Sequence, residues 1–457
     1  LSIWIDEGLR SRALAGPSIQ IDPYFAYYQQ RSAESIVDEI ELAGFCCVHY
    51  FVVNEHVVDA GLIKAFRQRG IPVWAMVIGN GTFSVERFPE EWPSWQMKLL
   101  TEVDDGFKRL SPFSEGYVKW KKAAMAKLVS DYPFDGIEIA EPYFPEWGGI
   151  GRGVYGDVGP HAEAAFISRY GIRMPDFTNP DSDRYYANDP MTYRKWVSFR
   201  VEAVNGFIDE MINGEDGVRE ARPDILVATW SLAINAGLGS VERLREDQGL
   251  DAPSMIEKVR PDIHYLQTHW PDWTRGDLPA DYVKNYRPFV EQIRKRHPLL
   301  PLAVQADIGS ARHMIKGGSW LGEFSKTAFA LGFSAWTAYE YHTGGYMYDD
   351  KPAPMRIERL GEHEVRLTFN KRIEARKALP ESGSTIWIDG RASRVVWESS
   401  VVDGNRITLH SIHLPESAFE LELSGIQDTP DRWLFSEKPP NSVAVGTKVT
   451  VPGARRG

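Results

Sequence analysis

The chain has 457 residues, 43% hydrophobic and 25% charged, enough for one domain of barrel size and a smaller second one. A formal net charge of −11 without any long Lys/Arg run offers no basic surface to a nucleic acid. No segment reaches the roughly 18 uninterrupted apolar residues of a membrane span, so a membrane partner is not expected either.

Short apolar runs alternate with helical patterns over the first 350 or so residues, the pattern of a parallel sheet wrapped in helices. Strands are predicted over residues 2–6, 46–53, 72–78, 136–139, 225–230, 263–268, 302–306 and 333–338. Helices are predicted over 32–42, 55–69, 115–130, 161–170, 191–213, 281–297 and 313–331, with Gly44 and Gly70 closing the first two. Long insertions rich in Gly, Pro and aromatics follow strands three and four. Eight strands with crossovers predict a (β/α)8 TIM barrel, and no Gly-rich phosphate fingerprint follows strand one to favour an open doubly wound sheet. After Pro354 the pattern alternates with period two at 365–369, 385–388, 395–397, 407–409 and 419–423, with Asp389-Gly390 and Asp403-Gly404 as hairpin turns. The expected organisation is therefore a barrel over 1–354 and a C-terminal β-sandwich over 355–457.

Cys46 and Cys47 are adjacent inside an apolar run and read as reduced packing residues, so they carry no disulfide argument for secretion. Leu1 stands where a Met would begin a chain, which leaves room for a missing targeting segment. The compartment, cytoplasmic or secreted, stays open, as does the oligomeric state.

In a (β/α)8 barrel the chemistry sits at the C-terminal strand ends. Strand four ends in Glu138 and Glu141, followed by Pro142 and aromatics. Glu138 reads evenly as a barrel-interior carboxylate or a site residue, whereas Glu141 is the first choice for a catalytic acid. Asp307, at the end of strand seven, is the expected partner across the mouth, with N-capping of the next turn as its structural alternative. Asp6 is the reserve carboxylate. His49, Tyr143, Trp230, His269, Trp270, Gln305, Trp336, Tyr339 and Glu340 are predicted to hold substrate. Aromatic faces pack on sugar C–H faces while polar groups take the hydroxyls, and 15 Trp with 19 Tyr exceed what a core needs.

Two short stretches carry a resemblance. Asp135-Gly-Ile-Glu-Ile is similar to the fourth-strand Asp-Gly-Ile-Asp-Ile of chitinase-type hydrolases, which place their acid one residue later. Ala140-Glu141-Pro142 resembles the Asn-Glu-Pro that bears the acid/base in the clan of β-galactosidases and cellulases. That clan has Asn where this chain has Ala140, and Glu at strand seven where it has Asp307. The resemblance implies a glycoside hydrolase-like barrel whose carboxylate pair, retaining or inverting, cleaves a glycosidic bond without a cofactor. The loops lean towards exo action. Arg10, Arg152, Arg275 and Arg312 are candidate partners for an acidic sugar. The competing expectations are a divalent-metal sugar isomerase or lyase using Asp6, Glu141, His269 and Asp307, and a carbohydrate-binding barrel without catalysis.

Overall fold

The computed structural model describes residues 7–146, 149–374, 383–435 and 437–454. Eight parallel strands close into a barrel: β1 Gly16–Ile21, β2 Cys47–Val52, β3 Val73–Ile78, β4 Gly136–Ala140, β5 Leu226–Ala233, β6 Ile263–Thr268, β7 Leu302–Asp307 and β8 Ala335–Tyr339. Each pairs with the next, and β1 also pairs with β8. Every residue of β3, β4, β5 and β7 is buried, because helices cover the outer face and side chains fill the inner one.

The first strand corrects the sequence expectation. The barrel begins at Gly16–Ile21, while residues 2–6, and Asp6 with them, lie outside the described residues. Glu7–Ala13 is a helix under the N-terminal end of the barrel. Ala13 joins the interior cluster, its carbonyl accepts the Trp74 Nε1–H at 3.2 Å, and Arg10 pairs with Asp262 at 2.8 Å just before β6.

The inner face follows the two-residue period of a strand. Cys47, Trp74, Met76, Ala140, Trp230, Tyr265, Ala303 and Ala335 form one interior cluster, in which the Trp230 and Tyr265 rings stack 4.5 Å apart. Gly136 makes room for this packing: a Cβ there would stand 2.2 Å from the Trp74 ring. Glu138 lies among these rings, fully buried, with His49 Nδ1 at 2.5 Å and Trp230 Nε1 donating at 2.8 Å.

Two antiparallel sheets follow. One runs Pro354–Arg359, Glu364–Phe369, Arg406–His410, Ser399–Asp403; the other runs Arg391–Val395, Ser384–Ile388, Phe419–Glu422, Lys448–Val451. Val365, Leu367, Ile407 and Leu409 of the first sheet pack with Ile386, Phe419, Leu421 and Val451 of the second, making a β-sandwich core. Asp389 and Gly390 both have positive φ, 47° and 76°, as the predicted two-residue hairpin requires. The predicted strand over 395–397 lies instead at Arg391–Val395, and the second turn is carried by Gly404-Asn405.

Polar contacts hold the sandwich to the barrel. Arg372 donates to the Tyr27 and Gln29 carbonyls at 2.6 and 2.8 Å, Arg406 to Asp38 at 2.7 Å, and the Ser32 amide to Asp403 at 2.7 Å. Nearby, Lys371 and Asp428 form a fully buried ion pair at 2.8 Å.

Candidate active site

The cleft at the barrel mouth grows out of the end of β4. Asp135 anchors the strand by accepting the Val73 amide at 2.9 Å and pairing with Arg67 at 3.1 Å. Ala140 points inward, so strict alternation would send Glu141 outward. The Glu141 backbone turns left-handed instead, φ 51°, and the chain leaves the strand at Pro142. Gly79 lets β3 approach this bend, since a Cβ there would lie 3.0 Å from the Pro142 Cα.

Glu141 thereby stands in a cleft of about 270 Å³ walled by Asn80, Arg109, Tyr143, Gln267, His269 and Trp270. As a residue Glu141 is exposed to the cleft, and the protein packed around its carboxyl lifts its pKa above the ordinary carboxylate value. Gln267 and Arg109 oppose the rise, and the charge of Asp307 adds to it. Trp273, Phe83 and Phe107 complete an aromatic rim. Burial pushes the His269 imidazole down to about 3, so it is neutral in the cleft.

Asp307 faces inward at the end of β7 and caps the turn it begins. Its Oδ1 accepts the Gly309 and Ser310 amides at 3.1 and 2.9 Å, and the Ser310 hydroxyl donates to Oδ2. Burial nevertheless raises its pKa. Tyr339, inward on β8, sits amid the carboxylates. Burial raises its phenol, and so do the charges of Glu340, Asp22, Asp307 and Glu141.

The strand-one carboxylate of the mouth is Asp22, which sequence reasoning missed. It continues the inward series Ser18, Gln20 just past the end of β1. Burial pushes its carboxyl up to about 7, and the neighbouring Glu340 charge adds to that shift. Glu340 is fully buried and held by the Asp22 amide at 3.0 Å, the His342 amide at 2.9 Å, the Tyr28 hydroxyl and the His342 ring. The signal for Asp22 was an apolar–polar alternation, Ser-Ile-Gln-Ile-Asp, hidden behind Gly16-Pro17.

Of the predicted substrate-binding residues, Tyr143, His269 and Trp270 line the cleft, while Gln305 and Tyr339 face inward beside it. Glu340 is taken up by its four donors and does not reach the cleft. Three further expectations are corrected. His49 is buried in the barrel interior against Glu138, Ser18 and Tyr265. Trp230 lies one layer below the mouth, stacked on Tyr265. Trp336 faces the opposite way from Tyr339 and packs between Phe45 and Phe324, with Nε1 bonded to Ser325 at 2.7 Å.

The arginine expectation changes as well. Arg10 lies at the far end of the barrel, Arg275 pairs with Asp277 at 3.4 Å, and Arg312 pairs with Glu437 at 2.6 Å. The Arg152 side chain is outside the described residues. Among the described residues no three His, Cys, Asp or Glu side chains are grouped to hold a metal ion, and no helix is long and apolar enough to cross a membrane. Cys46 and Cys47 are free thiols.

Neither protein-family models nor curated proteins match the chain. Among solved structures it is similar to the PgaB (BpsB) glycoside hydrolase domain from Bordetella bronchiseptica. The TM-score is 0.53 over 71% of this chain and 94% of that one, at 14% identity. A β-galactosidase from Rahnella sp. R3 matches with TM-score 0.49 and 13% identity over 71% of this chain and 50% of that one. The GH36 α-galactosidase AgaA from Geobacillus stearothermophilus matches with TM-score 0.38 and 13% identity, over 88% of this chain and 56% of that one. The first likeness shows a shared barrel fold.

Proposed function

We infer that the chain is a glycoside hydrolase whose residues 1–354 form the catalytic unit and 355–457 an accessory sandwich. The observation that carries this is Glu141, turned by a left-handed backbone into a solvent-open cleft with its proton affinity raised, and with Asp307 within electrostatic reach. In this mechanism Glu141 protonates the glycosidic oxygen as the bond to the anomeric carbon breaks. Asp307 attacks that carbon, or takes a proton from the water that does. The turn amides and Ser310 hold Asp307 in one orientation, as a nucleophile or base requires. Trp270 and Trp273 offer sugar-stacking faces, and the neutral His269 and Gln267 offer hydroxyl partners.

Exo action fits a cleft walled on one side by the loops after β3 and β4. A neutral sugar fits better than an acidic one. Arg109, the arginine of the cleft wall, is already paired with Asp105 at 2.7 Å, whereas Asp105, Glu141 and Glu146 line the same space.

The test is hydrolysis of a panel of neutral and acidic phenyl and methyl glycosides, whose leaving groups need protonation, by wild type and Glu141→Gln. Release from one substrate by wild type alone supports the assignment. Equal release by both proteins moves the acid elsewhere, and no release by wild type favours a carbohydrate-binding barrel.

A further inference from the structure

Beside the cleft, the quarter of the mouth formed by β7, β8 and β1 contains polar atoms that the protein itself leaves unanswered. Thr337 and Gln305 are register partners on β8 and β7, and both point inward with Tyr339 and Asp307 above them. Gln20 points inward from β1 below Asp22. Gln20 and Gln305 are each more than nine-tenths buried, at 3% and 4% exposure, yet Gln20 Nε2 and Gln305 Oε1 have no hydrogen-bond partner. Thr337 Oγ1, fully buried beside Gln305, has none either. Asp22 accepts the Tyr24 amide at 3.1 Å on one oxygen, and its other oxygen accepts from no described residue. Buried polar groups are almost always paired, so a cluster of open ones at a barrel mouth points to a partner outside the chain.

We propose that Asp22, Gln20 and Gln305 form the subsite that holds the ring hydroxyls of a neutral sugar during cleavage. The subsite rests on the glycoside hydrolase reading above. The chemistry selects the ligand: Gln20 offers a donor, Gln305 an acceptor and Asp22 a carboxyl oxygen. Adjacent hydroxyls, each both donor and acceptor, answer all three. A uronate would bring its charge among Asp22, Glu141, Asp307 and Glu340, all of which act on the Tyr339 hydroxyl at the centre of the mouth. The open Asp22 oxygen is the acceptor of the set, and an Asn there would keep the oxygen that takes the Tyr24 amide and present an NH2 in place of that acceptor.

The experiment compares wild type, Asp22→Asn, Gln305→Leu and Glu141→Gln in kinetics on unactivated phenyl glycosides, whose leaving group needs protonation, in thermal unfolding and in calorimetric titration with galactose, glucose, mannose and glucuronate. The expected result for Asp22→Asn and Gln305→Leu is a loss of about two- to tenfold in kcat/KM, expressed in KM, which is what one lost hydrogen bond removes. Their melting temperatures stay level or rise, because the atoms removed bond to nothing in the protein. A lower melting temperature with unchanged KM would mean a structural role and overturn the subsite. If Glu141→Gln is inactive while both variants keep wild-type KM, the subsite falls and the hydrolase reading stands. If Glu141→Gln stays active while both variants are impaired, the subsite stands and the acid lies elsewhere. Should no aryl glycoside turn over, neutral-sugar binding that Gln305→Leu loses supports the subsite. No neutral sugar bound, or glucuronate preferred, overturns it.

Discussion

Glu138 and Glu141 lie three residues apart, and the structure gives their replacement opposite outcomes. Glu138 is fully buried, bonded to His49 Nδ1 at 2.5 Å and to Trp230 Nε1 at 2.8 Å. Glu138→Ala leaves the His49 ring and the Trp230 indole without that acceptor in the barrel interior and opens a void between them. Leaving a buried donor without its acceptor costs about 1–3 kcal/mol for each group stranded, and the void adds to that. Glu138→Gln keeps the volume and an acceptor for Trp230, so its cost is nearer the roughly 1 kcal/mol of a single hydrogen bond. Glu141 makes no such interior contacts, so Glu141→Gln should leave stability level or slightly higher while removing activity. The assay is urea unfolding followed by tryptophan fluorescence, with residual hydrolysis measured below the transition. A Glu138→Ala midpoint equal to wild type, or loss of hydrolysis in Glu138→Gln with stability intact, would refute the division between an interior and a catalytic carboxylate.

Burial pushes His264 and His269 down to about 3 from an ordinary 6.5. The stability they contribute is full above pH 6.5 and is lost as pH falls towards 3, so His269→Gln should flatten that slope in thermal melts. Asp22 acts in the opposite direction. Its carboxyl is raised from 3.8 to about 7, so its contribution is full below pH 3.8 and lost as pH rises through 7, and Asp22→Asn should remove this decline. Gly136→Ala forces a methyl against the Trp74 ring and should cost about 1–3 kcal/mol in the same urea melts. Lys371→Met strands Asp428 without its cation and should lower sandwich stability by about 3–5 kcal/mol, read as earlier proteolysis of the C-terminal region.

Strands β2 to β8 were legible because each is an apolar run between turn residues, and β6 matches its expected limits at both ends. β1 was not, because its inward residues are polar. Ser18 and Gln20 face a barrel interior that Trp74, Trp230 and Tyr265 already fill with hydrophobic bulk, so the strand carries no continuous apolar run. The carboxylate expected of strand one was therefore sought at Asp6, whereas Asp22 occupies that place in the mouth. Glu141 and Asp307 do stand at the ends of β4 and β7 as their sequence position implied, although the left-handed turn that aims Glu141 into the cleft has no marker beyond the following Pro142. Trp336 was misplaced for want of counting the two-residue period from Tyr339. His49 and Trp230 were misplaced because an inward residue short of the strand end packs inside the barrel and never reaches its mouth. Sequence spacing gives the face of a strand but not the depth of a residue along the barrel axis, which register and closure decide.

The most direct test of Glu141 as the proton donor is the leaving-group dependence of Glu141→Gln. On a substrate that hydrolyses, the variant is compared with wild type on a glycoside of an alcohol, which needs protonation to depart, and on the matching 2,4-dinitrophenyl glycoside, which does not. The expected result is a loss of about 10²–10⁴-fold on the alcohol and little loss on the dinitrophenyl compound. An equal loss on both, or no loss on either, would contradict the assignment of Glu141 as general acid.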